Sequence, residues 1–292
     1  MRTQLLTIVF ALLAGSTFAQ TPHKAANAYK REGYRLVWSD EFTKEGRPDA
    51  SKWRYEKGFE RNNEAQYYQR ENAWCEDGKL IIEARKERRI SHEYTPNPTW
   101  WDQRALYADY TSASINTRGK FTFCYGRLEV RAKIPVGKGS WPAIWLLGTK
   151  NSWPHCGEID VMEYYHIKGK PHILANAAWG GRKAGEAIWD DIKIPYSYFT
   201  DLDENWADNF HVWRMDWDEE SIRIYVDDIL LNEIPAWKSI NLGGADKGIN
   251  PFSREHYILL NLALGGNNGG PIDDTILPLR YEVDYVRVYQ KE

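Results

Sequence analysis

Three acids crowd one octapeptide, Gly157-Glu158-Ile159-Asp160-Val161-Met162-Glu163-Tyr164. In a strand, side chains alternate faces, so Glu158 and Asp160 point one way while Ile159 and Val161 point the other. Strict alternation leaves Met162 beside the acids and carries Glu163 to the apolar face. A one-residue bulge near Val161 and Met162 reverses this and returns Glu163 to the acidic face. Like charges packed together are costly unless they do chemistry, bind a metal or lie in open solvent. Hydrolysis of a glycosidic bond needs such a set. One carboxylate attacks the anomeric carbon or activates water, and a protonated carboxyl donates to the leaving oxygen. A third acid between them raises one pKa and holds the proton where it is wanted. Taken alone, the octapeptide also suits a solvated acidic strand, or a metal site that would have to do without a histidine at ligand spacing.

At ~3.3 Å of rise per residue, the α-carbons of Glu158 and Glu163 lie about 13 Å apart, so their arms must lean together over a sugar unit. Retaining enzymes hold the two carboxyls ~5–5.5 Å apart and inverting ones ~6.5–9.5 Å. Spacing in sequence is compatible with both.

The elements that must position these acids read as short strands. Residues 127–134 (Arg-Leu-Glu-Val-Arg-Ala-Lys-Ile) alternate strictly between polar and apolar, the pattern of a half-buried strand. Residues 221–226 alternate in the same way and end at the turn pair Asp227-Asp228; residues 210–217 precede them across an acidic turn, which predicts a hairpin. Residues 282–289 close the chain as another strand, and the apolar run at 257–264 suits a strand buried on both faces. Helical periodicity is scarce. Frequent Gly, Pro, Asn and Asp turns between short strands imply an all-β chain, a β-sandwich of jelly-roll type with an open substrate cleft on its concave sheet. Residues 167–199, rich in Gly, Lys and Trp, read as loops that carry specificity.

Residues 1–19 combine one early positive charge, an apolar run too short to span a bilayer and small residues ending at Ala19. That is the anatomy of a signal peptide, so the protein is expected to be secreted, extracellular or periplasmic, after cleavage near Ala19. A polar lead at 20–33 and one catalytic domain at 34–292 complete the expected organisation. Nothing downstream is apolar for long enough to cross a membrane. A net charge of −3 gives no basic footprint for nucleic acid. Cys75, Cys124 and Cys156 are too few and too scattered for a disulfide framework or a zinc site. Fourteen tryptophans and eighteen tyrosines exceed what a core of this size needs. Flat rings with a polar edge suit sugar faces, though aromatics also favour strands in general.

With these residues in view, the sequence resembles the laminarinase-like, endo-β-1,3(4)-glucanase branch of glycoside hydrolase family 16. The octapeptide carries the resemblance together with Ser140-Trp141-Pro142-Ala143-Ile144-Trp145. Asn62-Asn63-Glu64, Tyr67-Tyr68, Tyr125-Gly126-Arg127 and Val283-Asp284-Tyr285-Val286-Arg287-Val288-Tyr289 add to it, over nearly the whole mature chain. The resemblance implies a retaining double displacement on a β-glucan by a monomer. It makes Glu158 the nucleophile, Asp160 its proton-positioning helper and Glu163 the general acid/base. It also implies sugar stacking on Trp141 and Trp145, a hydrogen bond to sugar from Asn63, and no cofactor for catalysis. A structural calcium, common in relatives, would fall at Asp284 with Gly78 and Glu41 nearby.

Two positions depart from that pattern. Ser114 stands where an arginine is expected, and Trp179 where a histidine near the catalytic strand is expected, which makes Trp179 a further substrate-binding candidate. The chemistry is therefore better supported than laminarin as preferred substrate. Galactan hydrolases of agarase or carrageenase type share the bulged Glu-x-Asp-x-x-Glu strand. Sulfated galactans call for basic residues in the cleft, and Arg104, Arg118, Lys120, Arg182 and Lys183 form no evident cluster. Transglycosylation on xyloglucan or chitin–glucan is a further alternative. Non-catalytic β-glucan-binding relatives typically lack one or both glutamates; here both are present.

Overall fold

The computed structural model describes residues 31–292. The expected signal peptide, its cleavage near Ala19 and most of the polar lead lie outside the described residues. The end of that lead is tied down: Arg31 grips Glu129 with two hydrogen bonds, at 2.7 and 2.6 Å.

The strands are, in chain order, β1 (Tyr34–Asp40), β2 (Arg54–Tyr55), β3 (Gln66–Tyr68), β4 (Ala73–Glu76), β5 (Lys79–Ile90) and β6 (Tyr107–Ser112). There follow β7 (Ser114–Asn116), β8 (Gly126–Lys133), β9 (Ser140–Gly148), β10 (Glu158–Ile167), β11 (Lys170–Gly180) and β12 (Ala187–Pro195). The last are β13 (His211–Trp217), β14 (Ser221–Val226), β15 (Ile229–Pro235), β16 (His256–Leu264) and β17 (Leu279–Lys291). Two four-residue helices, α1 (Ser197–Thr200) and α2 (Gly266–Gly269), are the only α-helical turns among the described residues.

These strands form two sheets of a jelly-roll sandwich. One sheet has seven strands in the order β12-β11-β10-β9-β16-β7-β2. The other has ten, along the path β15-β14-β13-β8-β17-β5-β6-β3, with β1 on β17 and β4 on β5. The alternation expected at residues 127–134 appears in β8, where Leu128, Val130 and Ala132 are wholly buried and join the core between the sheets. Each large apolar side chain buried there contributes about 1.5–3 kcal/mol. The β13–β14 hairpin forms with Trp213 opposite Val226. Asp227 and Asp228 both take positive φ, +46° and +67°, the backbone that a two-residue hairpin loop into β15 requires. β16 is buried along its full length, as its unbroken apolar run demands.

Residues 167–199 correct the loop reading. Most of them are strand: β11 and β12 pair across nine residues, from His172–Pro195 to Gly180–Ala187, and complete one side of the seven-stranded sheet.

Candidate active site

The outer face of the seven-stranded sheet carries a cleft of about 620 Å³. Its floor follows from side-chain alternation. From β9 it takes Trp141, Ala143, Trp145 and Leu147, while Ile144 and Leu146 between them face the core. β11 contributes Leu174 and Asn176, and β12 contributes Trp189, Asp191 and Lys193.

β10 departs from alternation at one place. Against β9, Asp160 pairs with Trp145 but Met162 pairs with Ile144; against β11, Asp160 pairs with Asn176 and Glu163 with Leu174. One extra residue is therefore accommodated between Asp160 and Glu163. Ile159, Val161, Met162 and Tyr164 go into the core, and Glu158, Asp160, Glu163 and Tyr165 all line the cleft. The bulge brings the three acids to one face.

Each acid has a distinct environment. Glu163 Oε1 accepts from Trp141 Nε1 at 2.8 Å and its Oε2 accepts from Asn176 Nδ2 at 3.0 Å. Burial still pushes its carboxyl up to about 7, the two donors opposing and the charge of Glu158 adding to the rise. Asp160 is 2% exposed, and its Oδ2 has no hydrogen-bond partner. Burial, then the neighbouring charges of Glu158 and Glu163, hold it well above the usual carboxylate range. Glu158 is raised by burial too, but the Trp153 indole N–H, a hydrogen bond with Asp160 and the Arg61 charge all favour its ionised form. Burial thus favours the protonated form at all three, most at Asp160, while hydrogen-bond donors oppose it at Glu158 and Glu163.

Supporting residues from outside the motif complete the cleft. Trp145 Nε1 donates to Asn261 Oδ1 at 2.7 Å, and Asn261 Nδ2 donates to the Tyr68 hydroxyl at 3.1 Å. That hydroxyl donates in turn to the buried Glu64, also held by Gln66 at 2.7 Å. The chain of bonds fixes the Trp145 ring. Trp153 and Trp189 are 46% and 44% exposed on the cleft wall. Arg61, Asn176, Trp153 and Glu64 received no role from the sequence. Asn176 alone had a usable signal, since it pairs directly opposite Asp160 once β11 is recognised as a strand.

Several expected residues lie elsewhere. Trp179 is 4% exposed and packs edge-on against Phe252 in the core. It shares the face of Ile173, Ala175 and Ala177, so it cannot line the cleft. Asn63 is outside the cleft of the acids; it donates to Asn267 Oδ1 at 3.1 Å and faces a smaller adjoining pocket with Phe59 and Trp101. Ser114 does not leave the cleft without a cationic donor: its hydroxyl donates to Glu56 at 2.6 Å, and Glu56 holds Arg61 at 2.5 Å. The carboxylates among the calcium candidates are engaged by arginines. Asp284 is paired with Arg131 at 3.0 Å, and Glu41 takes two bonds from Arg287, each 2.9 Å. Calcium wants six to eight oxygen ligands, and guanidinium groups already neutralise these two carboxylates. Gly78 serves the tight turn between β4 and β5 with φ +71°. All three cysteines are free.

Comparison with known proteins agrees with this architecture. The family signature described as glycosyl hydrolases family 16 matches residues 60–247. A β-glucanase of Rhodothermus marinus is 37% identical, with 89% of this chain and 87% of that protein covered. A keratan-sulfate endo-1,4-β-galactosidase of Sphingobacterium multivorum is 30% identical over 88% of this chain and 55% of its own length. Among solved structures, the laminarinase catalytic domain of Thermotoga maritima superposes with a TM-score of 0.72 at 34% identity, covering 89% and 99% of the two chains. A structure reported with endo-acting O-glycanases, expressed by prominent members of the human gut microbiota to initiate mucin breakdown, gives 0.77 at 36% identity, covering 89% and 92%. The bulged acidic strand, the sandwich around it and these similarities place the chain in glycoside hydrolase family 16, in its laminarinase-like branch.

Proposed function

We propose that the protein is a secreted endo-β-glucanase, exported by its N-terminal segment and acting as a single catalytic domain over residues 34–292. It hydrolyses internal β-1,3 or β-1,4 linkages of laminarin or mixed-linkage glucan by a retaining double displacement. The observation that carries this reading is the bulge that sets Glu158, Asp160 and Glu163 on one cleft face.

In the first step Glu158 attacks the anomeric carbon. Glu163 gives its proton to the departing glycosidic oxygen, and a covalent glycosyl-enzyme forms. Asp160 lends its proton to the oxygens of Glu158 and so keeps two neighbouring negative charges from developing. Glu163, now a carboxylate braced by Trp141 and Asn176, then takes a proton from water. The hydroxide formed attacks the anomeric carbon and frees Glu158. This two-carboxylate chemistry needs no metal or cofactor. Trp141, Trp153 and Trp189 offer rings to successive sugars along an open cleft, which suits attack within a polymer.

A second reading keeps the mechanism and changes the sugar. The similarity to a keratan-sulfate galactosidase and to mucin-degrading O-glycanases favours a β-galactoside of a host-type glycan as the alternative. Product profiles on laminarin, barley mixed-linkage glucan, lichenan, agarose, κ-carrageenan and keratan decide between them, with proton NMR of the fresh reducing end. Mixed oligosaccharides from a β-glucan with β-anomer first support the main reading. Cleavage of a galactan or keratan alone replaces the substrate. An α-anomer released first rejects the retaining mechanism, and no cleavage of any polymer revives a binding role.

A further inference from the structure

We infer that Arg61 is a specificity-determining residue that reads hydroxyl groups of an uncharged sugar in the cleft, an inference that rests on the glycan-cleaving reading above.

Arg61 lies on the cleft wall with its guanidinium 5.0 Å from the centre of the Trp145 ring, over its face. Trp145 is itself only 7% exposed. A sugar at this point therefore meets a layer of guanidinium in place of bare indole. One side of that guanidinium is committed, since Nη2 pairs with Glu56 at 2.5 Å and Glu56 is anchored by the Ser114 hydroxyl. The other side is not. Nη1 is buried and has no hydrogen-bond partner, so a small outward turn of the side chain brings it to a sugar, and an unmet donor in such a place loses about as much as a hydrogen bond to a charged group gains.

The loop that delivers Arg61 is tied to its neighbours through the backbone. Asn62 and Asn63 both take positive φ, at 58° and 51°. Asn267 N–H donates to Asn62 C=O at 2.9 Å, and Ala65 N–H donates to Leu264 C=O at 2.9 Å. The backbone beneath the donor is thus set before the substrate arrives.

Charge decides which acceptor it meets. The positive charge of Arg61 is already matched by Glu56. Around it the cleft carries Glu64, Glu158, Asp160, Glu163 and Asp191, and Lys193 lies against Asp191. A sulfate or carboxylate would enter a net acidic site with no uncommitted cation to receive it. A hydroxyl oxygen accepts from Nη1 without that penalty.

The test is steady-state kinetics of Arg61→Ala and Arg61→Lys on every polymer that the wild type cleaves, keratan sulfate and its desulfated form included. Arg61→Lys keeps the charge and the reach to Glu56 but lacks the second arm of the fork, so it serves if the alanine variant folds poorly. The expected result is a KM raised on the order of 10- to 100-fold by alanine, a rise of similar size for lysine, and kcat within about threefold for lysine, which keeps the charge that favours ionised Glu158. A KM within twofold of wild type in both variants overturns the assignment. So does a loss confined to kcat, which would mark Arg61 as a positioning residue for Glu158. A larger loss on keratan sulfate than on its desulfated form overturns the hydroxyl assignment. Affinity electrophoresis through gels containing each glycan reads binding without turnover. A wild type that is retarded but cleaves nothing sinks the functional reading while Arg61 is still judged by retardation, and one that is retarded by none sinks both.

Discussion

The indole N–H of Trp141 donates to Oε1 of Glu163 at 2.8 Å, so a ring placed to face sugar also tunes the carboxyl that must protonate the leaving group. Burial lifts that carboxyl to about 7 and the indole pulls it down. The acid has to be protonated to act, so kcat/KM should fall as pH rises through about 7. Trp141→Phe removes the donor, leaves burial in place and should move this alkaline limb upward. A pH–rate profile on a soluble glucan in which the limb stays or moves down would show that the bond does not tune the acid.

The same shift makes stability depend on pH. A carboxyl raised from 4.5 to about 7 in the folded state binds more protons folded than unfolded across that window. Its stabilising effect is complete below 4.5 and is lost as pH rises through about 7. Thermal unfolding should therefore show the wild-type Tm falling over this range. In Glu163→Gln the fall should be shallower, on top of a constant offset from placing an amide against the Asn176 donor. Parallel Tm–pH curves for the two proteins would contradict the assignment.

Trp153 reaches Glu158 from a loop and donates its indole N–H to Oε2. A nucleophile must be ionised, and this bond favours ionisation. Trp153→Phe should shift the acid limb of the rate profile upward and cost roughly 10-fold in rate at pH 5, the size of one hydrogen bond to a charged group. At pH 7 the cost should be smaller. A pH-independent loss would instead assign Trp153 to sugar stacking alone.

Trp179 gives the opposite expectation. Buried against Phe252, its replacement by alanine should destabilise the fold by about 3–5 kcal/mol, read from urea unfolding. The KM of the protein that remains folded should stay within twofold. A raised KM with unchanged stability would return Trp179 to the cleft.

Since Asp284 and Glu41 are each held by an arginine, EDTA should leave the Tm unchanged within about 1 °C. Arg131→Ala should lower the free energy of unfolding by a few tenths to 1 kcal/mol, the range of a partly exposed ion pair. A Tm that drops in EDTA and recovers with calcium would show that the ion displaces these guanidinium groups.

Legibility in the sequence tracked contrast between neighbouring residues. β8, β14 and β16 stood out because their polar and apolar residues alternate sharply or not at all. On β10, the acids sat so far out of register with their apolar neighbours that a bulge was the only way to reunite them. β11 was missed because Ala175, Ala177 and Ala178 blur its two faces, and β12 because it lies at the sheet edge with much of its length exposed. Losing β11 as a strand then lost Asn176 and misplaced Trp179, three residues away and on the opposite face. Arg61 and Glu64 come from a loop, where no period says which way a side chain points; only the folded chain brings them against Trp145 and Tyr68.

The bulge in β10 also decides which changes of strand length the three acids can survive. Val161 and Met162 touch only the core, so other apolar residues of similar volume could stand in their place. Removing either one would leave Glu-x-Asp-x-Glu, which plain alternation sets on one face with no bulge at all, whereas adding a third would spread Asp160 and Glu163 further apart along the strand. Divergence of this active site is therefore open to exchange of residues at 161 and 162, and to loss of one of them, but not to lengthening between Asp160 and Glu163. A lineage that lost one codon there would straighten the strand and keep both its sandwich and its three acids.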